Sequence, residues 1–143
     1  KRLNIKAISP IIKNNEYIGS VEVIVDFEYL SQELKKKGYE LFVLLDNEHL
    51  KIAKDLKSNK KIENYVLINK TNIHNLENLD LNNLKDYGYI SNKNYSFVYF
   101  SYYDLHNIHL GYILTGIKNN KHLNINNAYD YETVNIDSKV KIR

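Results

Sequence analysis

Two stretches of the chain carry one pattern. "ISPIIKNNEYIGSVEVI" runs from Ile8 to Ile24, and "FSYYDLHNIHLGYILTGI" runs from Phe100 to Ile117. In each, an apolar run with a serine meets a polar turn. An apolar residue, a glycine and an alternating apolar run follow. Ser9 and Gly19 stand ten residues apart, as do Ser101 and Gly111, and the serines are 92 residues apart. Alternation on both sides of an Asn- or Asp-bearing turn is the signature of a β-hairpin. Two such hairpins commit much of the chain to antiparallel sheet, because a two-residue period does not fit a helix face.

The remaining expectations hang on these hairpins. Leu3, Ile5 and Ala7 alternate with Asn4 and Lys6, which predicts a half-buried strand. Pro10 puts that strand at an edge or at a change of direction. After the "KNNE" turn, Ile18, Ser20, Glu22 and Ile24 face one way, and Gly19, Val21, Val23 and Val25 the other. Asp26 suits a helix N-cap, and Phe27, Leu30 and Leu34 recur on one helical face. Lys35 to Lys37 favour the negative end of the dipole, and Gly38 suits the residue beyond it, so a helix is predicted over 27–37. "YELFVLLD" at 39–46 reads as a buried strand. A short helix follows, with Leu50, Ala53 and Leu56 inward. "IENYVLINK" at 62–70 reads as a strand, and 71–88 as irregular chain with a short helix closed by Gly88. Tyr95 to Tyr103 is an aromatic central strand with His109 to Ile117 as its partner. Residues 118–132 read as polar loop. A late strand follows, with Val134, Ile136, Val140 and Ile142 on one side. The fold class is α+β: a mostly antiparallel sheet of five to seven strands, with helices packed on one face.

Composition excludes several functions. With 143 residues the chain can bury one real core. It holds no run of about 18 apolar residues of the kind that spans a bilayer. Cysteine is absent, which removes disulfides, thiolate nucleophiles and cysteine zinc sites together. The net charge is only +3, and the only arginines are Arg2 and Arg143. That is poor equipment for phosphates or bases, so no nucleic-acid partner is expected. The 13 tyrosines accompany heavy use of Asn, Lys and Ile, all with A/T-rich codons, and carry no binding signal by number alone. The opening "KRLNIKAISP" reads as mid-strand, so the chain is expected to be a piece of a longer protein.

No phosphate-loop, dinucleotide, zinc-protease or nucleophile-elbow motif occurs, and no enzyme is expected. Asp104, His106 and His109 in "DLHNIH" are metal-ligating residue types. A further ligand is not close in sequence, since His49, His74 and His122 are far along the chain, and Asp and Asn are the default residues of such a turn. The turn reading is preferred, with no metal and no cofactor expected. Tyr95, Phe97, Tyr99, Ser101 and Tyr103 share one face of their strand. Such a face serves either as core or as the hydroxyl-bearing apolar wall of a pocket. If it is a pocket, the candidate ligand-binding residues are Tyr65, Tyr89, Tyr99 and Ser101.

Taken in order, "IKAISPIIKNNEYIGSVEVIVDF", "FVLLDNEHLKIAKDL", "IENYVLINK" and "YSFVYFSYYDLHNIHLGYILTGI" resemble Cache domains over residues 3–118. These are the PAS-like extracytoplasmic sensor domains of bacterial chemoreceptors and sensor kinases, here of the double-Cache variety. The resemblance implies a sensor domain over 26–118. Residues 1–25 would be a hairpin ending a preceding unit, and 119–143 a linker toward the rest of the protein. It also implies a periplasmic location, a small-metabolite ligand, a helix that carries the signal toward the membrane, and a homodimer. The arginine–tryptophan–tyrosine amino-acid signature of one Cache group is absent, since there is no Trp and no internal Arg. A carboxylate held by a lysine and hydroxyls remains the expected ligand. The alternative is a PAS-like structural or dimerisation module without a ligand of its own.

Overall fold

The computed structural model describes residues 4–119. β1 (Asn4–Lys13) and β2 (Glu16–Asp26) form a two-stranded ribbon. Asn14 and Asn15 turn it with φ of 52° and 64°. Both are left-handed, as a two-residue turn between twisted strands requires. α1 (Phe27–Lys36) follows, then β3 (Glu40–Asp46), β4 (Lys61–Ile62), β5 (Tyr65–Leu67), β6 (Tyr87–Ser91), β7 (Tyr95–Tyr103) and β8 (His109–Lys118). The last six strands form one sheet in the order β4-β5-β3-β8-β7-β6, antiparallel throughout. The fold is therefore mixed α and β with antiparallel sheets. The late strand expected near 134–142 lies outside the described residues.

α1 forms where capping and periodicity place it. The Asp26 carboxylate accepts from the Glu28 amide at 2.7 Å, and Gly38 leaves the helix with φ of 84°. Its buried face sets Phe27 against Leu41, Val43, Tyr102 and Ile113 on one side of the sheet, flanked by Leu30 and Leu34. On the opposite side Phe42, Leu44, Tyr65, Leu67, Phe97, Tyr99, Tyr112 and Leu114 are covered by Leu76, Leu79 and Leu81. Those leucines come from or adjoin the 3-10 turns Ile73–Leu76 and Leu81–Asn83. The expectation of helices on one face is thus corrected: one helix covers one face and 3-10 turns cover the other. Asn and Asp side chains explain the difference, because they compete for backbone groups that a helix needs. Asn72 caps the first of these turns, and Asn78 takes φ of 62° just after it.

Four further readings change. The 47–61 segment folds into 3-10 turns at Asn47–Lys51 and Lys54–Leu56, and Leu50, Ala53 and Leu56 are only half-buried. The 62–70 strand is broken by Glu63, whose φ of 49° folds β4 back onto β5. Gly88 closes no helix. It lies in β6, where a Cβ would meet the Tyr99 hydroxyl at 2.7 Å. β1 is likewise not half-buried along its length. Ile5 packs against the α1 side of the core, but Ile8, Ile12, Tyr17, Ile18, Val21, Val23 and Ile24 are exposed.

The repeated pattern is a repeated bulge. Ile11 pairs with Gly19 and Ile12 with Tyr17, so Ile18 is the extra residue. Tyr102 pairs with Gly111 and Tyr103 with His109, so Leu110 is the extra residue. In both hairpins the bulge falls on the apolar residue before the glycine, where it strengthens the local twist. The serines do not correspond: Ser101 is one residue from the partner of its glycine, and Ser9 is two.

Two buried phenols make stability depend on alkaline pH. Burial pushes the Tyr65 phenol up to about 12 and raises Tyr102 as well, whose hydroxyl has no hydrogen-bond partner among the described residues. An unfolded tyrosine ionises near 10, so between about pH 10 and 12 the unfolded chain binds fewer protons than the folded one. Stability is then fully present below 10 and falls as pH rises through that window. Urea midpoints measured at about pH 8 and pH 11 check this, and equal midpoints would contradict it.

Candidate functional site

The aromatic strand supplies a layered face. Ser101 pairs with Tyr112 across β7 and β8, and the Tyr112 ring meets those of Tyr65 at 5.9 Å and Tyr99 at 6.0 Å, edge to face. Tyr65, Tyr99 and Ser101 are thereby brought together, all buried. Tyr89 is not among them. It pairs with Val98, so the two-residue period turns it to the opposite face from Tyr99, and it is 66% exposed with its hydroxyl donating to Ser96. The Tyr99 hydroxyl accepts from the Lys85 amide, and the Tyr112 hydroxyl donates to the Leu84 carbonyl. Both phenols are spent on tying down the chain before β6.

His109 joins this face, which the sequence reading did not foresee. Its ring lies 4.9 Å from that of Tyr112, and its Nε2 is 3.1 Å from the Ser101 hydroxyl. Beside it, the Tyr103 hydroxyl donates to the Asp86 carboxylate, which raises the Tyr103 phenol above its ordinary value. His49 Nε2 donates to the His109 carbonyl at 2.8 Å and ties the turn after β3 to β8. Ser101 is 5% exposed, so its hydroxyl is turned into this layer rather than to solvent. Asp104 takes the turn role: its carboxylate accepts from the His106 and Ile108 amides. Among the described residues no three metal-ligating side chains stand together.

A second site lies at the β4–β5 end of the sheet. A cleft of about 600 Å³ opens between the end of α1 and the segments 58–60 and 67–72. This is within the size range of small-molecule sites. Lys35, Lys60 and Lys70 line it from three segments, with Ser58, Asn59, Thr71 and Asn72 between them.

Asn69 builds its floor. The ladder between β3 and β5 runs through Leu44–Leu67, and Ile68 still donates to the Val43 carbonyl at 2.9 Å. The chain then peels away, and the Asn69 amide takes over the ladder. Its Oδ1 accepts from the Val43 amide at 2.9 Å, and its Nδ2 donates to the Leu41 carbonyl at 2.7 Å and to the Ser31 hydroxyl at 3.1 Å. The Lys70 amide is released to the Glu28 carboxylate on α1. One segment therefore holds both the helix and the sheet, and the cleft sits against it. Three lysines at sequence spacings of 25 and 10 leave no local signal, and one buried asparagine is invisible in a chain so rich in asparagine.

No family model, no curated protein and no solved structure matches this chain.

Proposed function

We propose that this chain is a PAS-like, Cache-type sensor domain of a bacterial transmembrane receptor, and that its ligand is a small metabolite bound in the lysine-lined cleft. The observation that carries the reading is the position of the cleft. Lys35, in the last turn of α1, lines it, and α1 is the segment that joins the β1–β2 ribbon to the six-stranded sheet, so a ligand that meets Lys35 touches the connecting element. The sheet gives further support, because β3 and β8, the first and last strands after α1, pair at its centre. Its mechanism is a population shift. A ligand that prefers one arrangement of α1 on the sheet biases it, by no more than its differential affinity for the two. An extracytoplasmic location and a chemoreceptor or sensor-kinase output belong to the same proposal. Among the described residues no helix is long and apolar enough to cross a membrane.

A second reading has its own support. Leu76, Leu79 and Leu81 fill the tyrosine face, and the ribbon exposes apolar residues on both of its faces. Both features suit a structural or dimerisation module without a ligand.

Thermal unfolding of the chain with amino acids, carboxylates and purines separates the two. A specific ligand at ~100 times its dissociation constant adds roughly 2.7 kcal/mol of stability. Hydrogen exchange with that ligand is expected to slow at α1 and at 68–72. No stabilisation across the panel, with unchanged exchange at α1, would leave the structural module as the better account.

A further inference from the structure

From the charges around the cleft we infer that the ligand class is a small molecule with at least two anionic oxygen groups, either a polycarboxylate or a phosphate ester. The inference rests on the cleft being the ligand site. Lys35 comes from the last turn of α1, Lys60 from the segment before β4, and Lys70 from the segment that leaves the sheet. Among the described residues none of the three ammonium groups is paired with a carboxylate. Among the described residues no Asp or Glu lines the cleft. Two carboxylates stand beside the lining and keep their charge: Glu28 accepts from the Lys70 amide, and Glu40 from the Thr71 hydroxyl.

Three like charges around one concavity repel one another, and a counter-charge placed among them is favoured most where the cleft excludes water. The three lysines stand on three segments around the concavity, so a ligand with two or more anionic groups can meet more than one of them at once, as a single carboxylate cannot. The neutral donors agree. The Asn59 and Asn69 amides are committed to backbone carbonyls, and Thr71 donates to Glu40. Among the described residues the Ser58 hydroxyl and the Asn72 amide nitrogen remain available, and both can donate to a carboxylate or phosphoryl oxygen. The cleft thus offers donors and positive charge. Among the described residues no aromatic side chain lines it.

Calorimetric titration tests this on the full chain, with citrate, succinate, inorganic phosphate, glycerol 3-phosphate, acetate and neutral succinamide as probes. Succinate, citrate or glycerol 3-phosphate is expected to bind at least tenfold more tightly than acetate or succinamide. Affinity is expected to fall as salt rises from ~0.05 to ~0.3 M. Lys60→Gln and Lys70→Gln should each weaken the binding by about tenfold, the loss expected of a charge-assisted hydrogen bond. Their urea midpoints should stay unchanged, since neither ammonium group holds the fold. A polycarboxylate preference and a phosphate preference both support the inference and tell the two sources apart. Succinamide or acetate binding as tightly as succinate would overturn the charge class while leaving the sensor reading intact. Binding that survives both substitutions would move the ligand out of this cleft. If no probe binds and the amino acids and purines also fail, the sensor reading falls with it.

Discussion

Gly111→Ala is expected to unfold the domain or come close to it. Gly111 sits at the bulge of β8, between the two central strands, and a Cβ built on it would lie 1.9 Å from the Leu44 carbonyl oxygen. That atom is backbone of β3 and cannot swing aside like the end of a side chain. Either the β3–β8 ladder opens or the bulge is rebuilt. Both disturb the layer in which Phe42, Leu44, Tyr112 and Leu114 are packed. A loss of ~4 kcal/mol or more is expected, a large part of the stability of an ordinary domain. Gly19 is the informative control. It occupies the same place in the first hairpin, yet a Cβ there would meet nothing within 4 Å. Its φ of 155° instead disfavours a side chain, so Gly19→Ala should cost only about 1–2 kcal/mol of backbone strain, confined to the ribbon. Urea unfolding followed by circular dichroism measures both. A Gly111→Ala chain with a midpoint near that of the parent would show that the central ladder can yield, and the close-approach argument would fail.

The paired glycines also mark how far the sequence could be read. Both hairpins, their turns and α1 were legible because each is dictated by local chemistry: alternation, left-handed asparagines, an Asp cap and a glycine after the last turn. The bulge position was legible as a pattern, although its meaning needed the registers. Elements whose order depends on distant partners were not. β6 carries Tyr87 and Tyr89 on its open face and only Gly88 and Ile90 toward the core, so it showed no apolar run. Leu76, Leu79 and Leu84 stand at near-helical spacing, yet the chain forms 3-10 turns that bury Leu76, Leu79 and Leu81, and the competing Asn and Asp side chains account for the difference. Part of the candidate site could be placed from alternation alone, since Tyr99 and Ser101 share a face of β7. Tyr89 could not, because its face follows from a register with Val98 that no local signal encodes. The lysine cleft was invisible for the same reason: its three cations meet only because the chain leaves β3 at Asn69.

That departure makes Asn69 the second position with a large expected effect. Its side chain is 3% exposed and satisfies three groups at once: the Val43 amide, the Leu41 carbonyl and the Ser31 hydroxyl. Asn69→Ala removes the donor and the acceptor together and leaves a backbone amide and a carbonyl of β3 unpaired where water has little access. Leaving a buried group unmatched costs about 1–3 kcal/mol, so a total loss of about 2–4 kcal/mol is expected. Asn69→Asp should fare no better. It keeps an acceptor for the Val43 amide but sets a carboxylate oxygen against the Leu41 carbonyl, with no proton to share. Ser31→Ala removes one partner and leaves the ladder intact, so it should cost only ~1 kcal/mol. The order of the three variants is the test. If Asn69→Ala cost no more than Ser31→Ala, water would be replacing the amide and the ladder would not depend on it. If the expected order holds, hydrogen exchange should quicken at the Val43 and Lys70 amides together. One side chain continues the β3 ladder, and the same segment fastens α1 through Ser31 and Glu28, so loosening it also loosens the helix that carries Lys35 into the cleft lining.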